Sequence, residues 1–409
     1  MFLRLRAYTW LMRRFAVALL ALAAGCTTMQ RDARIRHEAE AVVWSAMGAP
    51  AAEVRVHATR IVADVADPTL DRGLGVRLGD SSPAVRATAA VALVVQMPAA
   101  AEVLRAILEG NDAAAKVIAI DAIGALDDGR TRLATLAADG DVRVRARVAT
   151  AIAQWKPEGA RALLGRLLHD EDPGVRGQAL AALARLGDGD ALGDVAQALD
   201  DPSLGVRLAA LGALVRLGHD SVGNQLLALD SGPRSAKDRY VALRAAVQLS
   251  RVGRIQAGLP AVRAAADDRD PAVRAAAMNA AGELGRDGNA LATAHLRDPD
   301  VDVRLAAARA VIATGPHEPA LPALVSALST SRRLDAADEL ARLGDARGLH
   351  ALEAAARSGD VRQRRAAIAL LSPLADGHDS LVAALHDDDT EIRLDAAGAL
   401  LRRLFRYER

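Results

Sequence analysis

Few residues in this chain have the types and spacing that do chemistry. The first is its single cysteine, Cys26, which directly follows Leu22-Ala23-Ala24-Gly25. One cysteine closes no intramolecular disulfide, so the fold must stand on packing. Four clusters combine imidazole and carboxylate, the ligand types that hold zinc or calcium: His169-Asp170-Glu171-Asp172, His219-Asp220, His378-Asp379 and His386-Asp387-Asp388-Asp389. All four fall at expected helix ends, where His suits a C-terminus and Asp the next N-cap. Solvated turns account for them without a metal. No G-x-x-x-x-G-K, H-E-x-x-H or G-x-S-x-G run occurs. Neither catalysis nor a cofactor is expected.

The most regular polar feature is a position that returns about every 30 residues and is nearly always arginine. It is occupied by Arg55, Arg86, Lys116, Arg145, Arg176, Arg207, Ala242, Arg274, Arg304, Arg333, Gln363 and Arg393, spaced 29 to 32 residues apart except for 35 before Ala242. The clearest copy runs from Asp270 to Gly285. Asp270 before Pro271 reads as an N-cap followed by proline at the first helical position, where its missing N–H costs nothing. Val273, Ala277, Ala280 and Leu284 then share one face of a 3.6-residue period, and Gly285 supplies a stop. Ala290, Leu291, Ala294 and Leu296 predict a shorter second helix before Asp298-Pro299. Each unit is a helical hairpin too small to bury its apolar faces alone, so neighbours must stack into a continuous core.

The expected architecture is therefore all-α, an α-solenoid of about twelve helical hairpins forming one continuous domain over 49–409. A charged helix over 31–48, with Trp44 on the first hairpin, is expected to cap one end, and the helix over 394–409 the other. The long interval falls around Ser231-Gly232-Pro233-Arg234-Ser235, which reads as a surface insertion, a bend or a partner-contacting loop. Polar caps at both ends predict a monomer.

Of 409 residues, 51% are hydrophobic and the formal charge is +1, so no basic excess points to nucleic acid. Residues 1–25 hold four arginines and no acid, so their removal leaves −3. Downstream of residue 25 the aromatic residues are only Trp44, Trp155, Tyr240, Phe405 and Tyr407, which leaves single-stranded nucleic acids and sugars without their usual stacking platforms. Trp155 stands where other units carry Leu before Gly and reads as an enlarged core residue or a local contact site.

The N-terminus carries an address. Met12-Arg13-Arg14-Phe15 is a short positive head, Ala16 to Ala24 an apolar run too short to span a bilayer, and small residues precede Cys26. Residues 1–11 are consistent with an upstream start codon ahead of Met12, and Arg13-Arg14 as a twin-arginine signal is the alternative. Leu22-Ala23-Ala24-Gly25-Cys26 resembles the lipobox of bacterial lipoprotein signals, with Ala23 where that pattern usually has Leu. The resemblance implies removal of residues 1–25, lipid attachment at Cys26, a tether over 26–30 and, because Thr27 follows the cysteine, the outer membrane in a cell that has one.

The repeated units resemble HEAT repeats of the short phycobilisome-lyase type, whose hallmark is Asp-Pro-x-Val-Arg followed by Ala-Ala-x-Ala-Leu. The resemblance covers about residues 50 to 405. It implies that the helix starting at Val-Arg lines a concave face and that Asp and Arg of successive units form a hydrogen-bonded ladder. Carried over, the members are Arg55, Arg86, Arg145, Asp172, Arg176, Arg207, Asp270, Arg274, Arg304, Arg333 and Arg393, with breaks at Lys116, Ala242 and Gln363. The function these readings support is a lipid-anchored scaffold that binds protein partners along the solenoid face in the bacterial envelope, facing the periplasm. A phycobilin-lyase-like enzyme and a cytosol-facing tethered scaffold are the alternatives.

Overall fold

The structure, a computed structural model, describes residues 30–407 apart from 66–67, 188 and 218–257, a stretch in which Leu243 alone is described. All regular structure among them is helical. None of these helices is long and apolar enough to cross a membrane.

The hairpins begin as their caps dictate. Asp172 accepts the N–H groups of Gly174 at 2.8 Å and Val175 at 3.1 Å, with Pro173 at the first helical position. Gly187, at φ 71°, ends that helix in the left-handed region that disfavours a side chain. In the Asp270 unit the first helix spans Pro271–Glu283 and buries Val273, Ala277 and Ala280, while Leu284 packs against the same core from the cap position. Its partner, Arg286–Ala294, starts immediately after Gly285, four residues before the first apolar position read from the sequence.

That early start rests on a close approach. A Cβ on Gly288 would lie 1.9 Å from the carbonyl oxygen of Ala281, so only glycine lets the two helices of the hairpin meet there. Small residues shape the stacking between hairpins as well. Pro173–Leu186 packs between Val142–Trp155 and Leu204–Arg216, and Pro271–Glu283 packs on Val301–Thr314 through Ala276, Ala280, Ala306, Ala307 and Ala310. Alanine contributes little area per residue. Each fully buried Val or Leu among them, such as Val303 and Leu180, adds about 1.5–3 kcal/mol.

The single body expected from the repeats divides into two compact units, one made of 78–352 and the other of 1–77 with 353–409. In the second unit the helix over 30–47 buries Ile35, Ala39, Val43 and Met47, and Trp44 lies over Gly73 of the first hairpin. The closing cap, expected over 394–409, differs from the expectation. As far as Tyr407 it is no separate element, because one unbroken helix spans Thr390–Tyr407. It packs on Val361–Leu371 and His378–Ala384, and also on Ala52–Val65 of the first repeat. A Cβ on Gly398 would sit 3.1 Å from Ile61. Ile392, Leu394, Ala396, Ala397, Ala399, Leu400 and Leu401 are all buried, leaving no broad polar outer face. A terminal repeat must cover its apolar side somehow. Here the first and last repeats cover each other.

Candidate functional site

The recurring arginine is built into the stack. Arg176 donates from Nε and Nη2 to Asp201 at 2.7 and 2.8 Å, and from Nη1 to the carbonyls of Asp170 at 2.9 Å and Glu171 at 3.1 Å in its own turn. Arg145 binds Asp170 at 2.7 and 2.9 Å in the same way, and Arg274 binds Asp298 at 2.9 and 3.0 Å. One planar guanidinium thus ties its own helix start to the next unit's turn. Arg55, Arg86, Arg207, Arg304 and Arg393 make the same carbonyl bonds, to Ala49, Asp80, Asp201, Asp298 and Asp387. The hydrogen bond from arginine holds the carboxyls of Asp170 and Asp201 below the usual range. Burial pushes Asp298 upward, but the bonds from Arg274 and the Asp300 N–H outweigh it and leave that carboxyl lowered too.

The acidic partner is not the one expected. Asp172 and Asp270 cap their own helices, accepting from Gly174, Val175 and Ala272. The carboxylate that faces the preceding unit stands two residues before the N-cap, at Asp170, Asp201 and Asp298, each also accepting the N–H of the cap residue itself. A cap oxygen turned toward its own helix cannot reach the neighbour, so the unit needs two polar residues for the two tasks.

Two of the expected breaks are filled. Lys116 Nζ reaches Asp139 at 2.6 Å, a single contact in place of a fork. Gln363 joins Asp360 in a capping box, and the adjacent Arg364 makes the ladder contact to Asp387 at 3.0 and 3.1 Å. Arg333 opens a helix that has no aspartate cap, and the paired cation there is Arg332, bonded back to Asp302 of the preceding unit. Ala242, the 231–235 insertion and His219-Asp220 lie outside the described residues, as do Arg13, Arg14, Leu22, Ala23, Ala24, Gly25 and Cys26.

The other His–Asp clusters separate into individual tasks. Asp170 and Asp387 are ladder acceptors, Asp172 and Asp389 are caps, and His386 lies 3.8 Å from Glu38. Among the described residues no group of three or more His, Cys, Asp or Glu side chains is arranged to hold a metal ion. Trp155 is no enlarged core residue. It is 40% exposed, with its ring lying flat on Gly124, where a Cβ would come within 2.0 Å of it.

The joint between the first and last repeats is a polar cluster with no signal in the repeat pattern. His57 places Nδ1 2.7 Å from Glu391 and Nε2 3.2 Å from Asp395. Arg365 binds the same two carboxylates, Asp395 at 2.7 Å and Glu391 at 3.2 Å. The hydrogen bond to Asp395 raises the His57 pKa above its ordinary value; burial opposes that, and the Glu391 bond reinforces it. For Asp395 burial acts upward, but the bonds from His57 and Arg365 prevail and the carboxyl is lowered. When both ring nitrogens carry protons, the imidazole can donate to two carboxylates of the opposite end of the chain.

The family described as HEAT repeats matches residues 129–214, which include the Arg145 and Arg176 rungs. Solved structures with similar helix arrangements include the CpcE–CpcF complex of phycocyanin lyase from Nostoc sp. PCC7120, at 22% identity and a TM-score of 0.36 over 54% of this chain and 91% of that one. Escherichia coli YibA is similar at 22% identity and a TM-score of 0.40 over 62% of this chain and 95% of its own. A mutant of Kap121p is similar at 13% identity and a TM-score of 0.40 over 89% and 48%. Comparison with curated proteins gave no match.

Proposed function

We propose that this chain is a lipid-anchored scaffold of the bacterial cell envelope that binds protein partners along the surface of its stacked hairpins. The observation that carries the binding role is the ladder. Its arginines are bonded to carbonyls and carboxylates within the stack, so they stiffen a surface instead of presenting a charged row to nucleic acid. Recognition then rests on shape and on scattered exposed apolar residues such as Trp155, Val142 and Val361. The anchor rests on Cys26 and its small-residue context. With each terminal repeat covered by the other, neither end offers an open apolar face to a second copy, which supports a monomer.

The test is photo-crosslinking in intact cells, with benzoylphenylalanine placed in turn at Trp44, Val95, Val142, Trp155 and Val361, all exposed. A scaffold gives one discrete adduct from neighbouring positions in the envelope fraction. No adduct, or an equal smear from every position, would contradict the reading.

A further inference from the structure

Within the unit formed by 1–77 and 353–409, two cavities of about 440 and 780 Å³ share Ala369, Ser372 and Arg402 and form one groove beside the last helix. Four arginines line it against two aspartates, Asp32 and Asp395. Three of the arginines are engaged. Arg365 is held by Asp395 and Glu391, Arg403 donates to the carbonyls of Leu371 and Ser372 at 2.9 Å, and Arg31 pairs with Asp379 at 2.7 Å. Arg402 has no ion-pair partner among the described residues. It lies over Gly398, where a Cβ would come within 3.3 Å of its Nη1, and it lines both cavities.

We propose that this groove binds the phosphate headgroup of an anionic phospholipid, with Arg402 as the principal ligand and Arg31 as the second. Guanidinium offers phosphate a fork of charge-assisted hydrogen bonds. Arg31 can re-pair at little cost, since its bridge to Asp379 is exposed at 56% and 82% of the two side chains, and such surface bridges stabilise little. The rest of the wall mixes the apolar Ala369, Pro373, Ala375, Ala399 and Leu404 with Ser372 and His378, a lining that suits the glycerol and upper acyl portion of an amphiphile better than a free anion. Position argues the same way, and this step rests on the lipid-anchor reading. Arg31 follows Cys26 by five residues, a reach of at most about 18 Å of extended chain, so an anchored protein holds the groove at the membrane surface.

The test uses the full chain carrying Cys26→Ser, so that no attached lipid competes, and short-chain soluble probes followed by calorimetry. Dihexanoylphosphatidylglycerol is expected to bind, dihexanoylphosphatidylcholine to bind at least about tenfold more weakly, and inorganic phosphate more weakly still. Arg402→Glu should abolish the phosphatidylglycerol signal while Arg402→Lys keeps most of it; a melting curve checks that the variants fold, and Arg402→Gln replaces the glutamate variant should that one unfold. Equal binding of the two lipids, phosphate binding as tight as the lipid, or binding indifferent to residue 402 each overturns the proposal. Fatty-acid labelling at Cys26 is read separately. Labelling without lipid binding refutes the groove alone, and Arg402-dependent binding without labelling supports the groove while refuting the anchor.

Discussion

Replacing Arg176 by alanine removes the two bonds to Asp201 at 2.7 and 2.8 Å and the two to the carbonyls of Asp170 and Glu171 at 2.9 and 3.1 Å. The Asp201 carboxylate, whose side chain is only 10% exposed, is left facing the vacated space. Removing one partner of a buried pair costs about 3–5 kcal/mol. The low end, about 3 kcal/mol, applies here because Asp201 keeps the Ser203 N–H at 2.8 Å and some contact with water. In a cooperative block of 150–250 residues that corresponds to a fall in Tm of roughly 6–12 °C. Stacked repeats couple mainly to their neighbours, so hydrogen exchange should accelerate in Pro173–Leu186 and Leu204–Arg216 before it does elsewhere. Arg176→Lys, which keeps the charge and loses the fork, should fall between. The lowered Asp201 carboxyl fixes the sign of the pH dependence: its contribution is present above the ordinary carboxylate range and is lost as pH falls through the folded value. The gap between the native and alanine proteins should therefore narrow in acid. A Tm for Arg176→Ala within about 2 °C of the native value at neutral pH would show that the ladder adds no stability.

The His57 joint has the opposite sign. Its raised pKa gives stability that is complete below the ordinary histidine range and lost as pH rises through the folded value. An NMR titration of the His57 ring should give a midpoint above that range, and His57→Ala should flatten the pH dependence of melting between neutral and mildly alkaline conditions; a midpoint at or below the ordinary value would contradict the paired geometry. Gly288→Ala should destabilise its hairpin by about 1–3 kcal/mol, because the new methyl overlaps the Ala281 carbonyl. Chemical denaturation checks this, and an unchanged midpoint would mean that the close approach is not required.

Helix starts were legible in the sequence because one local rule writes them: an aspartate whose side chain meets its own N–H groups, followed by proline or a β-branched residue, as at Asp172 and Asp270. The ladder was legible mainly on its basic side, and even there Arg333 was read where Arg332 makes the contact. Asp170 and Asp172 are two positions apart, and one-dimensional spacing does not tell which carboxylate turns inward to cap and which turns outward to bridge. The shift from Gln363 to Arg364 escaped for the same reason, since a capping box at Asp360 changes which residue faces the next unit. Gly288 and Gly377 both meet the backbone of the preceding helix, a close approach that the repeat pattern does not mark. The joint between His57 and Glu391 lies 334 residues apart in the chain. No period of 30 residues announces a contact between the first copy and the last.

Attachment of this envelope scaffold by lipid is best checked by metabolic labelling with a clickable fatty acid, comparing the native chain with Cys26→Ser in fractionated membranes. Label is expected on the native protein in the membrane fraction and none on the variant. An unlabelled native protein with its N-terminus intact would contradict it.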